Sequence, residues 1–325
     1  MNEHNENNFD VVVVGGGAAG LSAALVLGRA RRRVAVVDAG SPRNAPAAHM
    51  QGFLSRDGMA PADLLAAGRS EAADYGVELI ADQVAEIRAG FTVRLAGGRL
   101  LAARRVLIAT GLSDALPDIP GVRERWGRDL LHCPYCHGWE VRDQPLGVLG
   151  TNPAAVEHAL LIRQWSDDIV FFTHTYPLTA DERAALDARR VGVIDGLVAR
   201  LSVVDDRLDA VQLTDGRAFP RAAVFIRPAF HRHKDDPLDS LGCDLDQSGF
   251  VQVDGSGRTS VPGVWAAGNV ANPRAQVITA AGEGSTAAIS INADLVQEDV
   301  EGAVSANPPR TAIDKSERTT HGNQD

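Results

Sequence analysis

The stretch FDVVVVGGGAAGLSAALVLGRARRRVAVVDAG, residues 9–40, decides the fold. Its apolar run Val11 to Val14 is too short for a helix and ends in glycines, so it reads as a parallel strand buried on both faces. A small-residue helix follows over about Ala18 to Arg29, and a second apolar strand, Val34 to Val37, ends in Asp38. Gly15, Gly17 and Gly20 stand at the G-x-G-x-x-G spacing inside this unit. The first permits a tight turn, the second lets the backbone approach a pyrophosphate, and the third lets the helix pack close to the sheet. The helix N-terminus then turns its free N–H groups and positive dipole end toward the phosphates. Asp38, eighteen residues beyond Gly20, is placed to accept hydrogen bonds from a ribose. Together these features predict a dinucleotide site.

The same logic recurs downstream. RRVLIATG (Arg104 to Gly111) is another buried strand, closing on Ala109, Thr110 and Gly111, and VPGVWAAGNV (Val261 to Val270) is a further one ending in Gly268 and Asn269. Between them, PLGVLGTNPAAVEHALLIRQWSDDIVFFTH (Pro145 to His174) repeats strand, glycine turn, helix with Pro153 near its start, and strand. This order predicts an α/β protein with two Rossmann-like dinucleotide-binding domains, the second inserted into the first. The first is expected to comprise residues 9–117 and 245–297. The second spans 118–244, with RLDAVQLTDG and AAVFIRP adding strands. Residues 1–8 and 298–325 are polar, lack a periodic apolar face and read as disordered.

Composition narrows the function. A chain of 325 residues has room for two ordinary cores. The formal net charge of −10 argues against a nucleic-acid partner, since phosphate binding needs concentrated positive charge. No apolar run is long enough to span a bilayer, and the opening MNEHNENN is the opposite of a secretory signal, so a cytoplasmic location is expected. The one basic cluster, Arg29 to Arg33, reads as a complement to the helix C-terminus.

Three cysteines are too few for a disulfide scaffold, so HCPYCHG, residues 132–138, is better read as reactive or metal-binding. Adjacent residues such as His132 and Cys133 rarely point at one centre, and no second pair stands at finger spacing, so no metal is expected. CPYC also matches glutaredoxins, which carry it after the first strand of a small fold rather than after a whole domain. Cys243 reads as a small buried apolar residue, and His231 and His233 as a solvated loop.

Taken in order, the glycine triplet, Ala109-Thr110-Gly111, Cys133-x-x-Cys136 and GVWAAGNVANPRAQVITAAGEG resemble the low-molecular-weight thioredoxin reductases from about Phe9 to Val296. The resemblance implies FAD in the first domain, NAD(P)H in the second, a cysteine pair that exchanges electrons between flavin and substrate, and a homodimer. It assigns Gly15, Gly16, Gly17, Ala18, Ala19, Gly20 and Asp38 to the pyrophosphate and adenosine ribose. Ala39, Gly40, Ser41, Pro42 and Arg43 would line the adenosine side, with His49 and Val84 also in the pocket. Ala109, Thr110 and Gly111 precede the crossover, Gly268 and Asn269 would meet the ribityl and phosphate region, and Gln276 and Val277 the flavin pyrimidine edge.

Several positions depart from that family. Asn269 replaces its usual aspartate, and an amide can still bond a ribityl hydroxyl. In the second cradle, Gly150, Thr151, Asn152, Pro153 and Ala154, the middle glycine is Asn152. The arginine pair for the 2′-phosphate falls at Thr175 and Tyr176, neither cationic, leaving Arg163 or Arg183 as possible substitutes. The second cysteine is followed by His137 rather than aspartate. Cys-x-x-Cys-His-Gly resembles the fungal gliotoxin-type and bacterial holomycin-type dithiol oxidases, which close a disulfide in a small molecule and pass the electrons to O2, giving hydrogen peroxide.

Only a thiolate attacks a disulfide efficiently, and a helix N-terminus, with Pro134 in its first turn, would favour one. By resemblance Cys136 faces the flavin and Cys133 exchanges with substrate. His137 or His132 can accept the thiol proton. The expected activity is FAD-dependent oxidation of a small dithiol by O2. NAD(P)H-dependent reduction of thioredoxin or a similar disulfide is the alternative, and a flavin-binding redox sensor or inactive subunit is a third reading.

Overall fold

The computed structural model describes residues 7–232 and 238–306. A seven-stranded sheet forms the first half, its strands running 78–81, 34–38, 8–14, 100–108, 92–95 and 84–88, with 264–266 alongside 100–108. The strands 8–14, 34–38, 78–81, 100–108 and 264–266 pair parallel to one another. Val11 to Val13 have no exposed surface, as expected for a strand covered on both faces. The helix Ala18–Arg29 and the long helix Val277–Ala306 pack on one face. Ala23, Ala24, Ala287 and Ala288 are fully buried between them, and these small side chains let the two helices approach closely.

A second parallel sheet, in the order 192–194, 169–172, 146–149, 223–226 and 130–131, forms the inserted half. Beside it stands a three-stranded antiparallel sheet, 198–204, 207–213 and 218–220, in which RLDAVQLTDG supplies the central strand. The two crossing segments, Ser113–Ala115 and Ala229–His231, pair antiparallel to each other. They form a short two-stranded tie between the halves.

The chain differs from the sequence reading at four places. Asn8 already pairs with Ala102, so the ordered chain begins before residue 9. The last helix runs to Ala306, nine residues past the expected end at 297. Its polar turns are held from outside: Asp299 pairs with Arg32 and Arg104, and Glu298 with Arg104 and Arg105. Arg32 also reaches Asn292, so the basic cluster clamps this helix as well as ending its own. Leu238 and Cys243 pack in the first core, placing the return crossing ahead of residue 245. His231 is exposed but belongs to a strand, paired with Ser113, while His233 lies outside the described residues.

Two glycines make the opening turn possible. Gly15 adopts φ +105°, a conformation that L side chains avoid. A Cβ at Gly20 would lie 1.9 Å from the Gly15 carbonyl oxygen, so helix and strand meet only because none is there. Gly20→Ala is therefore expected to destabilise the fold by about 1–3 kcal/mol through overpacking, read as a lower urea midpoint.

Candidate active site between the two domains

A cleft of about 540 Å³ lies where the two sheets present the ends of their strands. It brings together Gly15, Gly16, Gly17, Ala18, Ala19 and Asp38 from the opening unit, with Ser41, Pro42, Arg43 and His49 from the loop that follows. Ala109, Thr110, Gly111, Gly268 and Asn269 line it from other strand ends, Gln276 and Val277 from the start of the last helix, and His132, Cys133, Cys136 and His137 from the inserted half. Four expected residues do not line it. Gly20 is packed beneath the turn, Ala39 and Gly40 are exposed beyond it, and the Val84 side chain is buried in the sheet core.

The two nucleotide turns are built differently. No side chain caps the helix that starts at Ala18, and its first residues open onto the cleft. Beside it the Asp38 carboxylate accepts the Gly16 N–H at 3.1 Å and keeps acceptor capacity for a ribose. This cradle fits the FAD pyrophosphate and ribose. In the second turn, Asn152 fills the equivalent place with its own side chain: Oδ1 accepts the Ala154 N–H at 3.1 Å and Nδ2 donates to the Arg227 carbonyl at 2.8 Å. The Ala155 N–H is taken by the Asn152 carbonyl, and Pro153 has none to offer. A phosphate arriving there would find the leading donors occupied.

The rest of that second site is equally unsuited to a 2′-phosphate. Tyr176 Oη donates to Glu182 Oε1 at 2.7 Å, and Glu182 also closes a capping box with Thr179. Hydrogen bonds from the Thr179 backbone and from Tyr176 hold the Glu182 carboxyl below its usual range, so it stays anionic. Arg163 is spent on the Arg189 and Ser166 carbonyls and on Asp167, and Arg183 on Asp195. The cradle 150–154 therefore does not fit a phosphorylated dinucleotide in this conformation.

Cys133 and Cys136 are joined in a disulfide with Cα atoms 5.2 Å apart, on a helix of one turn, Pro134–His137. So short a helix sums few peptide dipoles, and the thiolate preference expected from a helix N-terminus is correspondingly small. Tyr135, between the cysteines, stands edge-on to Trp165 at 5.5 Å and fixes the turn's orientation. The histidines on either side differ. Burial lowers the His137 pKa, with Glu140 opposing. His132 is pushed down to about 4, by burial first and then by Arg43. His137 is the better proton acceptor.

Asp114, Phe230 and His158 escaped the sequence reading, whereas Arg43 and Asn269 were expected in the cleft. Arg43 donates to both oxygens of Asp114, at 2.9 and 2.7 Å, donates to Asn269 Oδ1 at 3.2 Å, and lies over the Phe230 ring. Asn269 Nδ2 bonds the Asn272 and Ala275 carbonyls, so its amide, where the family has aspartate, braces the loop below it. Asp114 and Phe230 sit on the two crossing strands. Their position just past the strand ends Ala109-Thr110-Gly111 and Ala223–Ile226 is the signal that could have pointed to them. His158, on the helix Ala154–Ile162, lies beneath His132 with ring centroids 5.9 Å apart. Among the described residues no cluster of three metal-ligating side chains occurs, and no helix is long and apolar enough to cross a membrane.

A nucleotide cradle open to a cleft whose far wall carries a Cys-x-x-Cys disulfide defines a flavin-dependent disulfide oxidoreductase of thioredoxin-reductase-like architecture. The sequence profile of the pyridine nucleotide-disulphide oxidoreductase family matches residues 9–284, and the chain belongs to that family. It is 31% identical to thioredoxin reductase sirT of Leptosphaeria maculans, over 90% of this chain and 96% of that one. Against thioredoxin reductase of Streptomyces coelicolor it is 29% identical, over 94% and 98%. Among solved structures, that of HlmI shares 59% identity at a TM-score of 0.90, covering 94% of this chain and 97% of that one. A Bacillus anthracis protein described as a putative thioredoxin reductase, TrxB, shares 34% at 0.85, covering 90% and 99%.

The part-buried His132, at about 4, and the buried His158, at about 3, are held below the ordinary 6.5 chiefly by loss of water around the ring. In the unfolded chain they take up protons near pH 6.5; in the fold they do not. Stability is therefore complete above that pH and falls as pH drops toward 4, by about 1.4 kcal/mol per pH unit for each group. Urea midpoints measured from pH 7.5 to 4.5 should hold to about pH 6.5 and then fall, less steeply for His158→Phe.

Proposed function

We propose that this flavoprotein oxidises a small-molecule dithiol to its disulfide and uses O2, rather than a nicotinamide dinucleotide, as the partner of its flavin. The observation that carries this reading is the second nucleotide turn, where the Asn152 side chain occupies the Ala154 N–H at the start of the helix and Glu182 sets a carboxylate where a phosphate would need cations. The two candidate substitutes, Arg163 and Arg183, are engaged elsewhere. Such a site gives a nicotinamide electron donor little to bind, while the first cradle remains fit for FAD.

In this reading a substrate thiolate attacks Cys133, forming a mixed disulfide and releasing Cys136 as a thiolate. The second substrate thiolate then attacks the bound substrate sulfur, closing the substrate disulfide and releasing Cys133. His137 takes a proton from the attacking thiol, for which its half-buried, neutral imidazole is suited. Bound FAD supplies the two-electron acceptor that regenerates the Cys133–Cys136 disulfide and hands the electrons to O2. Arg43 and Asp114 hold the cleft wall.

Anaerobic mixing with electron donors tests this directly. Flavin absorbance near 450 nm is expected to bleach with a dithiol and recover in air, with hydrogen peroxide formed, and to stay unchanged on mixing with NADPH or NADH. Rapid bleaching by NADPH would overturn the choice of acceptor. His137→Gln should slow flavin reduction by a dithiol by about 10²-fold or more and displace the pH-rate profile. The double variant Asn152→Gly/Tyr176→Arg should gain measurable reduction by NADPH.

A further inference from the structure

His49 has no role in the chemistry above, and it faces the cleft from the other side. His132, His137 and His158 belong to the inserted half, whereas His49 lies on the loop that follows the first nucleotide turn. Contacts trace that loop along the cleft. Asp38 accepts the Gly16 N–H, Arg43 donates to Asn269 Oδ1, and Gly52 lies against Gln276, a Cβ built on it standing 3.6 Å from Oε1. The family resemblance gives Asp38 to the adenosine ribose, Asn269 to the ribityl chain and Gln276 to the flavin pyrimidine edge. His49 comes after Arg43 and three residues before Gly52, which sets it at the ring end of the cradle.

The imidazole is also held in one orientation. Nδ1 lies 3.1 Å from the Gly58 carbonyl oxygen. A carbonyl only accepts, so the neutral ring carries its proton on Nδ1 and leaves Nε2 free. The support beneath it is built in: Gly58 N–H donates to the Met50 carbonyl and Met50 N–H to the Met59 carbonyl, both at 2.9 Å, and Gly52 N–H donates to Asp57 Oδ1 at 2.7 Å. Packing does not account for the ring, because His49 is exposed on the cleft wall.

We propose that His49 is the proton donor of the oxidative half-reaction, passing its Nε2 proton to O2 as O2 takes two electrons from the reduced flavin. This rests on the O2-dependent reading and adds a residue to it. The reduced flavin at neutral pH is an anion that gives up two electrons and one proton; the second proton of hydrogen peroxide comes from His49. Solvent then returns a proton to the exposed ring, and an imidazole can give and regain one near neutrality. The surrounding charges leave this exchange to His49. On its own loop Asp57 is bound to Gly52 and Arg56 to the Ser55 carbonyl. Arg43 and Asp114 offset each other, and Arg274 lines the cleft from the approach to the last helix, a cation that does not titrate in this range. Across the cleft, loss of water lowers the pKa of both His132 and His137, which leaves them poor sources of a proton.

Flavin-loaded protein, photoreduced without air so that no thiol substrate is involved, is mixed with O2, with duroquinone or with ferricyanide. The first two consume protons on reduction; ferricyanide takes electrons alone. Wild-type reoxidation by O2 is expected to slow as pH rises from 6 to 9. His49→Asn keeps an amide donor for the Gly58 carbonyl but has no proton to give. It should lower the ratio of the O2 rate to the ferricyanide rate by about 10²-fold and flatten the pH profile. Added imidazole should restore part of the O2 rate in His49→Ala. Apart from turnover, histidine-15N NMR should show neutral His49 as the Nδ1–H tautomer. An unchanged ratio in His49→Asn, an equal loss with ferricyanide, or an Nε2–H ring overturns the assignment. Wild type that reacts slowly with O2 but rapidly with duroquinone, in a His49-dependent way, removes O2 as the partner and leaves the role of His49 standing.

Discussion

The pairing of Arg43 with Asp114 is the contact on which the geometry of the cleft depends. The Asp114 side chain is only 7% exposed, and a carboxylate that far from water is tolerable only beside a cation. Arg43 comes from the loop after the first nucleotide turn, Asp114 from the outgoing crossing strand, Phe230 from the returning one, and Asn269 from the end of the last parallel strand. One guanidinium thus gathers four separate chain segments. The strand leading to the cysteines, Leu130–Leu131, pairs with Ala223–Ile226, which runs directly into the returning crossing strand. The position of the disulfide relative to the first cradle therefore follows from the same tie.

Two nucleotide turns of similar form meet opposite ends. The first leaves its helix uncapped and open, storing unmet N–H groups for a ligand. The second satisfies those groups internally through Asn152, and a capping box holds a carboxylate further along. A domain that meets its own hydrogen-bonding needs remains folded without a ligand and can serve as the platform for the cysteine turn and for His158.

Much of this was legible in the sequence, for identifiable reasons. Val11 to Val14, the glycine spacing and Asp38 are local signals, since strand, turn and helix N-terminus are fixed by neighbours in the chain. Ala18–Arg29 is bounded as the small-residue pattern predicted. Asn152 was legible as an intruder, but not that its amide would cap the helix. Arg43 with Asp114, separated by 71 positions, and His132 with His158 could not be read, because such pairs exist only once two crossings bring distant segments together. The last helix was cut short for the opposite reason: its polar turns look solvated until Arg32 is seen reaching them from the turn after the first helix and Arg104 and Arg105 from the sheet.

That arginine bracket has a consequence for how the molecule responds to its medium. The pairs tying Glu298 and Asp299 to Arg32, Arg104 and Arg105 lie at the surface, with the carboxylates nearly half exposed. Counter-ions weaken exposed attractions of this kind, with a screening distance of about 8 Å at physiological ionic strength shrinking to about 3 Å in molar salt. Concentrated electrolyte should loosen the final turns of the long helix first, exposing them to limited proteolysis while the alanine-packed portion nearer the cleft stays docked.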